Sequence, residues 1–222
     1  MNEKFYLGTY TKRDSKGVYF VTLNKETEQL ESLILEADID NPTYLSYSKN
    51  DQLLFTVGKG EEHCGISANN AKVSPVERLA SIEDQQAVPC YIRYNEKTGD
   101  VLTANYHGGF VELYHYDKED GAFTFVDKKV HSGSSVHANQ TSPHVHYTDY
   151  TPDEKWIVVC DLGIDTVFTY RRTETGLEEV AQYKTKAGSG PRHLAFHPTF
   201  PIAYLICELD RSEERRVGKE CA

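Results

Sequence analysis

The sequence predicts an all-β protein, a β-propeller built from four-stranded antiparallel blades. Three observations carry this prediction: proline recurs at intervals of 47, 54 and 48 residues, short apolar segments follow each of these prolines, and helical periodicity is almost absent. Four short strands in a unit of about 50 residues, with turn residues between them, are typical of a propeller blade. The sequence therefore predicts repeated blades whose first strands line a central channel.

Each repeat begins with a proline and a short alternating segment. The four prolines are Pro42, Pro89, Pro143 and Pro191, and an aromatic or β-branched residue stands five places after each of them. A polar turn then leads into a continuous apolar run, which at this length is typical of a strand buried on both faces. The predicted second strands are Leu53–Val57, Val101–Asn105, Trp156–Cys160 and Ala203–Cys207.

Outer strands complete two of the repeats, and three further strands precede the first proline. The predicted third strands are Phe110–Tyr116 and Thr166–Tyr170, and the predicted fourth strands are Phe123–Lys128 and Leu177–Tyr183. The N-terminal strands are Lys4–Thr11, Gly17–Leu23 and Leu30–Ala37, and this unit lacks an inner strand. Propellers commonly complete such a unit with a strand from the other end of the chain.

The composition indicates a soluble globular protein. With 222 residues, of which 39% are hydrophobic, the chain can bury a sizeable core. No apolar run approaches the roughly 18 residues that cross a bilayer, and the first residues lack a secretory leader pattern, so we expect a cytoplasmic protein with no membrane contact. The net charge of −10 argues against nucleic-acid binding, and an anionic substrate would need a local cationic pocket.

The cysteines and histidines do not predict a metal centre or a disulfide framework. The five cysteines are widely spaced and never form a Cys-x-x-Cys pair. Four histidines lie within sixteen residues, a composition that zinc or iron could use, but no firm third ligand accompanies any two of them. We therefore favour a site without metal over this alternative. The four histidines are His131, His137, His144 and His146.

The last repeat contains a predicted hairpin with an arginine and a glutamate at its open end. The bend lies near Phe200, and Arg192 and Glu208 each stand eight positions from it. Antiparallel pairing would bring these two residues to one rim, about 4.8 Å apart in the strand-pairing direction. The pair can take part in catalysis, or it can be an ion pair that only fastens the hairpin. The position of the two residues in the hairpin is compatible with both interpretations.

Equivalent positions in neighbouring repeats predict what else lies on that rim. The residue after each proline is Thr43, Cys90, His144 and Arg192, and the second strands end at Gly58, Asn105, Asp161 and Glu208. This alignment places His144 and Arg192 on adjacent blades, with Asp161 beside His144. Histidine can take a proton from water and arginine can hold an oxyanion, so the group can act on a carbonyl. The predicted catalytic residues are His144, Arg192 and Glu208, and the predicted substrate-binding residues are Asn105, Asp161 and His193.

Several short motifs, in this order and spacing, resemble those of the seven-bladed propeller lactonases. That family comprises the propeller-type 6-phosphogluconolactonases and the carboxymuconate cyclases. The resemblance implies a catalytic His, Arg and Glu, and the matching residues are His144, Arg192 and Glu208. The motifs are Tyr6-Leu7-Gly8-Thr9-Tyr10-Thr11, Asn41-Pro42-Thr43-Tyr44-Leu45, Ala104-Asn105-Tyr106, Ser142-Pro143-His144, Asp161-Leu162-Gly163, Gly190-Pro191-Arg192-His193, Phe196-His197-Pro198 and Cys207-Glu208-Leu209.

The function that the resemblance implies is hydrolysis of a sugar lactone. The substrate we expect is 6-phosphogluconolactone, with acid-base catalysis and no metal or organic cofactor. A muconate-type lactonising cycloisomerase would use the same acid-base residues and is the first alternative. The second alternative is a propeller that serves as a binding scaffold without catalysis.

The resemblance also implies that the repeat is incomplete. Seven units of about 50 residues need roughly 350 residues, and about four units are present. We expect residues 1–210 to be a partial propeller and residues 211–222 to be a non-native tail, because Arg211–Cys221 resembles the translation of a sequencing adapter. A solvated charged terminus is the alternative. We expect the complete protein to be a monomer. We expect this chain to self-associate through unpaired strand edges and to lack the site residues that later blades would supply.

Overall fold

A computed structural model describes residues 2–60, 62–211 and 213–217, and their strands form five antiparallel sheets. Helical structure in these residues is limited to the 3-10 turn η1 (Leu162–Ile164). No helix among them is long and apolar enough to cross a membrane. The predicted all-β architecture is confirmed.

The first two sheets lie in the N-terminal part of the chain. The first contains β1 (Glu3–Leu7), β2 (Gly17–Asn24) and β3 (Gln29–Asp38), in that order. The second contains β4 (Leu45–Ser48), β5 (Leu53–Lys59), β6 (Cys64–Asn70) and β7 (Glu77–Gln85). Strands that are neighbours in the chain are also neighbours in the sheet, which is the order of a propeller blade.

The other three sheets repeat this order. The third contains β8 (Tyr91–Tyr94), β9 (Asp100–Asn105), β10 (Phe110–Asp117) and β11 (Ala122–Val130). The fourth contains β12 (Val145–Tyr150), β13 (Ile157–Asp161), β14 (Thr166–Thr173) and β15 (Gly176–Lys184). The fifth contains β16 (Pro191–Phe196), β17 (Ile202–Cys207) and β18 (Glu213–Val217).

Burial falls from the second strand of a four-stranded sheet to its last strand. Every residue of β9 and β13 is buried, as are the first five residues of β5. The last strands, β7, β11 and β15, are mostly exposed. A strand covered on both faces has no polar side, so the second strands are continuous apolar runs, as the sequence predicts.

The strands β6 and β7 are not predicted from the sequence, because β6 is buried but polar. The Oγ1 of Thr56 lies 2.8 Å from the Oγ of Ser67, and the amide of Asn69 donates to the carbonyl of Leu54 at 2.9 Å. These bonds satisfy the buried polar groups that burial would otherwise penalise. A hydrophobicity pattern cannot reveal a strand of this kind.

The predicted non-native tail is partly described. Residues 213–217 pair with β17 as the third strand of the last sheet, from Ile206 opposite Glu213 to Ile202 opposite Val217. The sequence shows no strand alternation there, but main-chain hydrogen bonds at an open sheet edge do not require it. Residues 212 and 218–222 lie outside the described residues. The foreign origin of residues 211–222 stays a prediction.

The chain divides into two compact units, and all predicted catalytic residues lie in the second. The first comprises the residues up to Val101 together with His115–Thr124, and the second comprises Leu102–Tyr114 together with the residues from Phe125 onward. The core of the first unit contains Phe55, which stacks on Tyr94 at 4.2 Å and meets Tyr116 edge-on at 5.2 Å.

Replacement of Phe55 by alanine tests this aromatic core. Phe55 is completely buried, so Phe55→Ala should lower the free energy of unfolding by about 3–5 kcal/mol, through lost burial and the cavity left behind. Urea unfolding followed by circular dichroism measures the change. The control is Phe200→Ala, because Phe200 is exposed and its loss should cost less than about 1 kcal/mol. Equal effects of the two substitutions would contradict the described core.

Candidate active site

Two β-bulges shape the strands that carry the predicted site. The register between β12 and β13 shifts between Val145 and Tyr147, and the register between β16 and β17 shifts between Pro191 and His193. His146 and Arg192 are therefore the extra residues of the two bulges. A bulge re-aims the side chain of the inserted residue, so both strands direct a basic side chain from the same place in the ladder.

The observed register shows that the predicted equivalence of His144 and Arg192 is wrong. In the fourth sheet, the N–H of Leu162 donates to the carbonyl of His144. The equivalent bond in the fifth sheet runs from the N–H of Glu208 to the carbonyl of Gly190. The ladder thus matches His144 with Gly190, and it matches His146 with Arg192. Counting from the proline is wrong because Pro143 lies two residues before β12 begins, whereas Pro191 is the first residue of β16.

The predicted pairing of Arg192 with Glu208 is confirmed. The Nε of Arg192 lies 2.8 Å from an Oε of Glu208, and the two side chains are 43% and 45% exposed. An ion pair at this exposure typically contributes about 0–1 kcal/mol, so fastening of the hairpin explains little. Among the described residues, the terminal guanidinium nitrogens of Arg192 have no hydrogen-bond partner, and they can hold an anion.

His144 is fixed by its neighbour Tyr106 through both its ring nitrogen and its ring face. Its Nδ1 lies 2.9 Å from the carbonyl oxygen of Tyr106, and the two rings stack at 4.3 Å with an interplanar angle of 9°. A carbonyl can only accept a hydrogen bond, so Nδ1 carries the proton of the neutral imidazole. The lone pair is then on Nε2, which is the nitrogen that can accept a proton from water.

Asp161 holds His144 in place and does not reach solvent. It is completely buried. One carboxylate oxygen accepts from the N–H groups of His144 at 2.8 Å and of Gly163 at 3.0 Å, and the other lies 2.7 Å from Nδ1 of His131. The predicted substrate-binding role of Asp161 is therefore replaced by a positioning role, because no oxygen is left at a surface.

The predicted substrate-binding role of Asn105 is also replaced by a positioning role. It is 1% exposed, and its side-chain oxygen accepts from the N–H of Gly108 at 2.8 Å. Its carbonyl accepts from the N–H of Gly109, which closes the turn after β9. The turn contains Tyr106, so Asn105 positions the residue that fixes His144 and has no surface for a substrate.

His146 and His193 form a ring contact beside Arg192. Their centroids lie 5.1 Å apart, and His146 also meets the Tyr106 ring edge-on at 5.8 Å. Burial and the charge of Arg192 lower the pKa of His146 to about 4. Burial, His146 and Arg192 lower the pKa of His193 to about 4. Both imidazoles are neutral near pH 7, so the local positive charge is that of Arg192.

The four histidines noted in the sequence lie in different surroundings. His131 is buried against Asp161, and His137 is exposed, with its Nδ1 accepting from the N–H of Asn139 at 3.2 Å. In the part of the chain that the structure describes, no three His, Cys, Asp or Glu side chains are arranged to hold a metal ion.

Two large clefts lie in the first unit. Each measures about 680 Å³. One is lined by aromatic residues that include Tyr6 and Tyr47, and the other by charged residues that include Lys59 and Glu83. Neither cleft is lined by His144, Arg192 or Glu208.

The lowered pKa of His146 predicts a pH-dependent stability. Below pH 6.5 the unfolded chain takes up a proton that the folded chain takes up only near pH 4. The stability present above pH 6.5 is therefore lost as the pH falls toward 4, by on the order of 2 kcal/mol. Urea unfolding at a series of pH values measures this loss, which should be smaller in His146→Gln. The control is His63→Gln, which replaces an exposed histidine, and a variant His146→Gln with the pH dependence of the parent would contradict the assignment.

Comparisons with known proteins agree with the observed fold. The chain is 35% identical to a Bacillus subtilis protein named 6-phosphogluconolactonase, over 92% of this chain and 59% of that protein. A crystal structure of a Lactobacillus plantarum protein matches with a TM-score of 0.89 and 34% identity. The match covers 98% of this chain and 67% of that protein's chain. The structure of the periplasmic gluconolactonase of Pseudomonas aeruginosa also matches with a TM-score of 0.89, at 27% identity. The match covers 99% of this chain and 65% of that protein's chain.

The similarity extends over nearly all of this chain but over only part of each relative. The chain spans about 60% of the length of the curated relatives it matches. Residues 4–213 match the family model described as lactonase, 7-bladed beta-propeller. With a match over nearly all of its residues, this chain belongs to the lactonase family of seven-bladed β-propellers.

Proposed function

We propose that this protein hydrolyses a sugar lactone, and that the substrate is 6-phosphogluconolactone, which is opened to 6-phosphogluconate. Membership of the lactonase family and the name of the Bacillus subtilis relative support the reaction class. The observation that carries the catalytic roles is the orientation of His144, whose Nδ1 is held by the carbonyl of Tyr106. Nε2 is thereby left as a base in the same unit as Arg192, whose side chain is partly exposed.

In the proposed reaction, His144 acts first as base and then as acid. Its Nε2 takes a proton from water as the water oxygen bonds to the lactone carbonyl carbon. The tetrahedral intermediate collapses when the bond between that carbon and the ring oxygen breaks, and the ring oxygen receives a proton from the imidazolium. One water is consumed, no electron transfer occurs, and the sequence of steps needs no metal or organic cofactor.

Arg192 supplies the positive charge of the proposed site. Its terminal guanidinium nitrogens can hold the oxyanion of the intermediate or an anionic group of the substrate. Glu208, 2.8 Å from Nε, orients the guanidinium or relays the proton of the His144 imidazolium to the leaving ring oxygen. In a chain of net charge −10, this local cation beside neutral histidines is what would attract an anionic sugar.

His193 keeps its proposed substrate-binding role. This residue is half-buried and directly follows Arg192 in the chain, and the centroid of its ring lies 5.4 Å from that of Tyr147. A neutral imidazole can both donate to and accept from a sugar hydroxyl. The buried side chains of Asn105 and Asp161 instead position other residues of the site. Asn105 positions Tyr106, and Asp161 positions His144.

Substitution of the catalytic residues tests the reaction. His144→Ala should lower kcat/KM for lactone hydrolysis about 100-fold to 10,000-fold, because the base is lost. Arg192→Ala should lower it about 100-fold through loss of charge stabilisation. Hydrolysis is followed by proton release at constant pH.

A matched arginine in the same unit provides the control. Arg171 pairs with Glu178 at 2.6 Å, and both side chains are about as exposed as those of Arg192 and Glu208. Arg171→Ala should leave the rate unchanged. A lactonase assignment to these residues fails if His144→Ala and Arg192→Ala keep the parental rate, or if Arg171→Ala loses as much activity as Arg192→Ala.

A comparison of two substrates tests whether a phosphate is recognised. We expect kcat/KM for 6-phosphogluconolactone to exceed that for gluconolactone by about tenfold or more, since a phosphate adds a charge-assisted contact. If Arg192 holds the phosphate, Arg192→Ala removes this preference. If Arg192 holds the oxyanion, both substrates lose activity equally. Equal rates of the parent protein on the two lactones would refute the substrate assignment.

A further inference from the structure

We propose that His131 is a positioning residue for His144, acting through the carboxylate of Asp161. This inference rests on the proposed function for its kinetic consequence, because it concerns the residue to which that function assigns the base. His131 lies directly after the exposed strand β11, and its side chain is 3% exposed. Its side chain is therefore almost closed off from solvent.

A continuous line of hydrogen bonds joins His131 to His144. The Nδ1 of His131 lies 2.7 Å from Oδ2 of Asp161, and Oδ1 of Asp161 accepts from the N–H of His144 at 2.8 Å. Oδ1 also accepts from the N–H of Gly163. The carboxylate therefore fastens the start of β12, the turn after β13 and the end of β11 to one point.

The ring of His131 is itself held from two further directions. Its Nε2 lies 2.9 Å from the hydroxyl of Tyr170, and its face stacks on Phe168 at 3.9 Å. Burial is the largest cause that raises the pKa of Tyr170, so the phenol keeps its proton. The carboxylate of Asp161 can only accept, so Nδ1 of His131 is the donor of that bond, and in the neutral imidazole Nε2 accepts from the hydroxyl of Tyr170.

Removal of His131 would leave Asp161 in an unfavourable state. Asp161 has no exposed surface, so water cannot replace the lost donor on Oδ2 without a local opening. A buried carboxylate that loses a partner relieves the cost by moving or by taking up a proton, and either change weakens its hold on the N–H of His144. The backbone of His144 would then keep the bond from the N–H of Leu162 to its carbonyl and lose the bond at its own N–H.

The position of that backbone matters because His144 has two other anchors, the bond that its carbonyl accepts from the N–H of Leu162 and the contacts of its ring with Tyr106. The bond from Nδ1 to the carbonyl of Tyr106 and the stacked rings require the His144 main chain to stay in place. A base displaced by about 1 Å loses on the order of 100-fold in rate. His131 thus affects the reaction through the geometry of His144 and not through contact with the lactone.

The test compares His131→Phe with His131→Asn. Phenylalanine keeps the ring stacked on Phe168 and removes the donor, and asparagine keeps a side-chain N–H near the place of Nδ1. We expect His131→Phe to lower kcat for 6-phosphogluconolactone by about 10-fold to 100-fold with KM within about twofold of the parent. His131→Asn should restore kcat to within about threefold of the parent.

A second measurement does not depend on activity. Hydrogen exchange of the His144 amide, followed by NMR on the full chain, should be about tenfold faster in His131→Phe and close to the parent in His131→Asn. If the parent hydrolyses no lactone, the proposed function fails, while the exchange rates still decide whether His131 positions His144. Tyr170→Phe, which removes only the hydroxyl, gives a second variant with a smaller change in the same direction if His131→Phe does not fold.

The control is Val159→Ala, a buried substitution in β13, the strand that ends at Asp161. It lowers stability without removing a hydrogen bond, so kcat and the exchange rate of the His144 amide relative to its neighbours should stay within about twofold of the parent. The positioning role is overturned if His131→Phe leaves both readouts unchanged. It is also overturned if His131→Asn behaves like His131→Phe, or if Val159→Ala matches the effect of His131→Phe.

Discussion

The carboxylate of Asp161 is the interaction on which the candidate site depends. Strand ends and turns must satisfy their N–H groups within the protein once they are buried, and here one side chain accepts from the main chain of His144 and of Gly163. The same group holds His131. A residue placed in this way determines where the proposed base lies, although it has no surface of its own.

The charge distribution depends on burial as much as on composition. The chain is acidic overall, yet the ring contact between His146 and His193 adds no positive charge near neutral pH, because burial and Arg192 lower both pKa values to about 4. Arg192 is then a single, permanently charged group among neutral rings. A site of this kind can attract an anion without the loss of charge that histidines undergo above pH 6.

Much of the fold can be predicted from sequence, because a strand buried on both faces must be apolar, as in β5, β9 and β13. The polar strand β6 could not be predicted, since hydrogen bonds between side chains replace apolar contacts there. The pair Arg192 and Glu208 can be predicted from hairpin symmetry. The burial of Asn105 and Asp161 cannot, because a polar residue at a strand end has the same sequence pattern whether it faces solvent or closes a turn.

The two bulges place different side chains at the same position of two repeats. Beyond the bulge, the residues of β12 and β16 resume regular pairing with β13 and β17. The inserted residue has no ladder partner, so His146 in one repeat and Arg192 in the next stand at the same place without disturbing the core beneath. Two blades of the same architecture can therefore carry different chemistry, because a single inserted residue sets the side chain at that position.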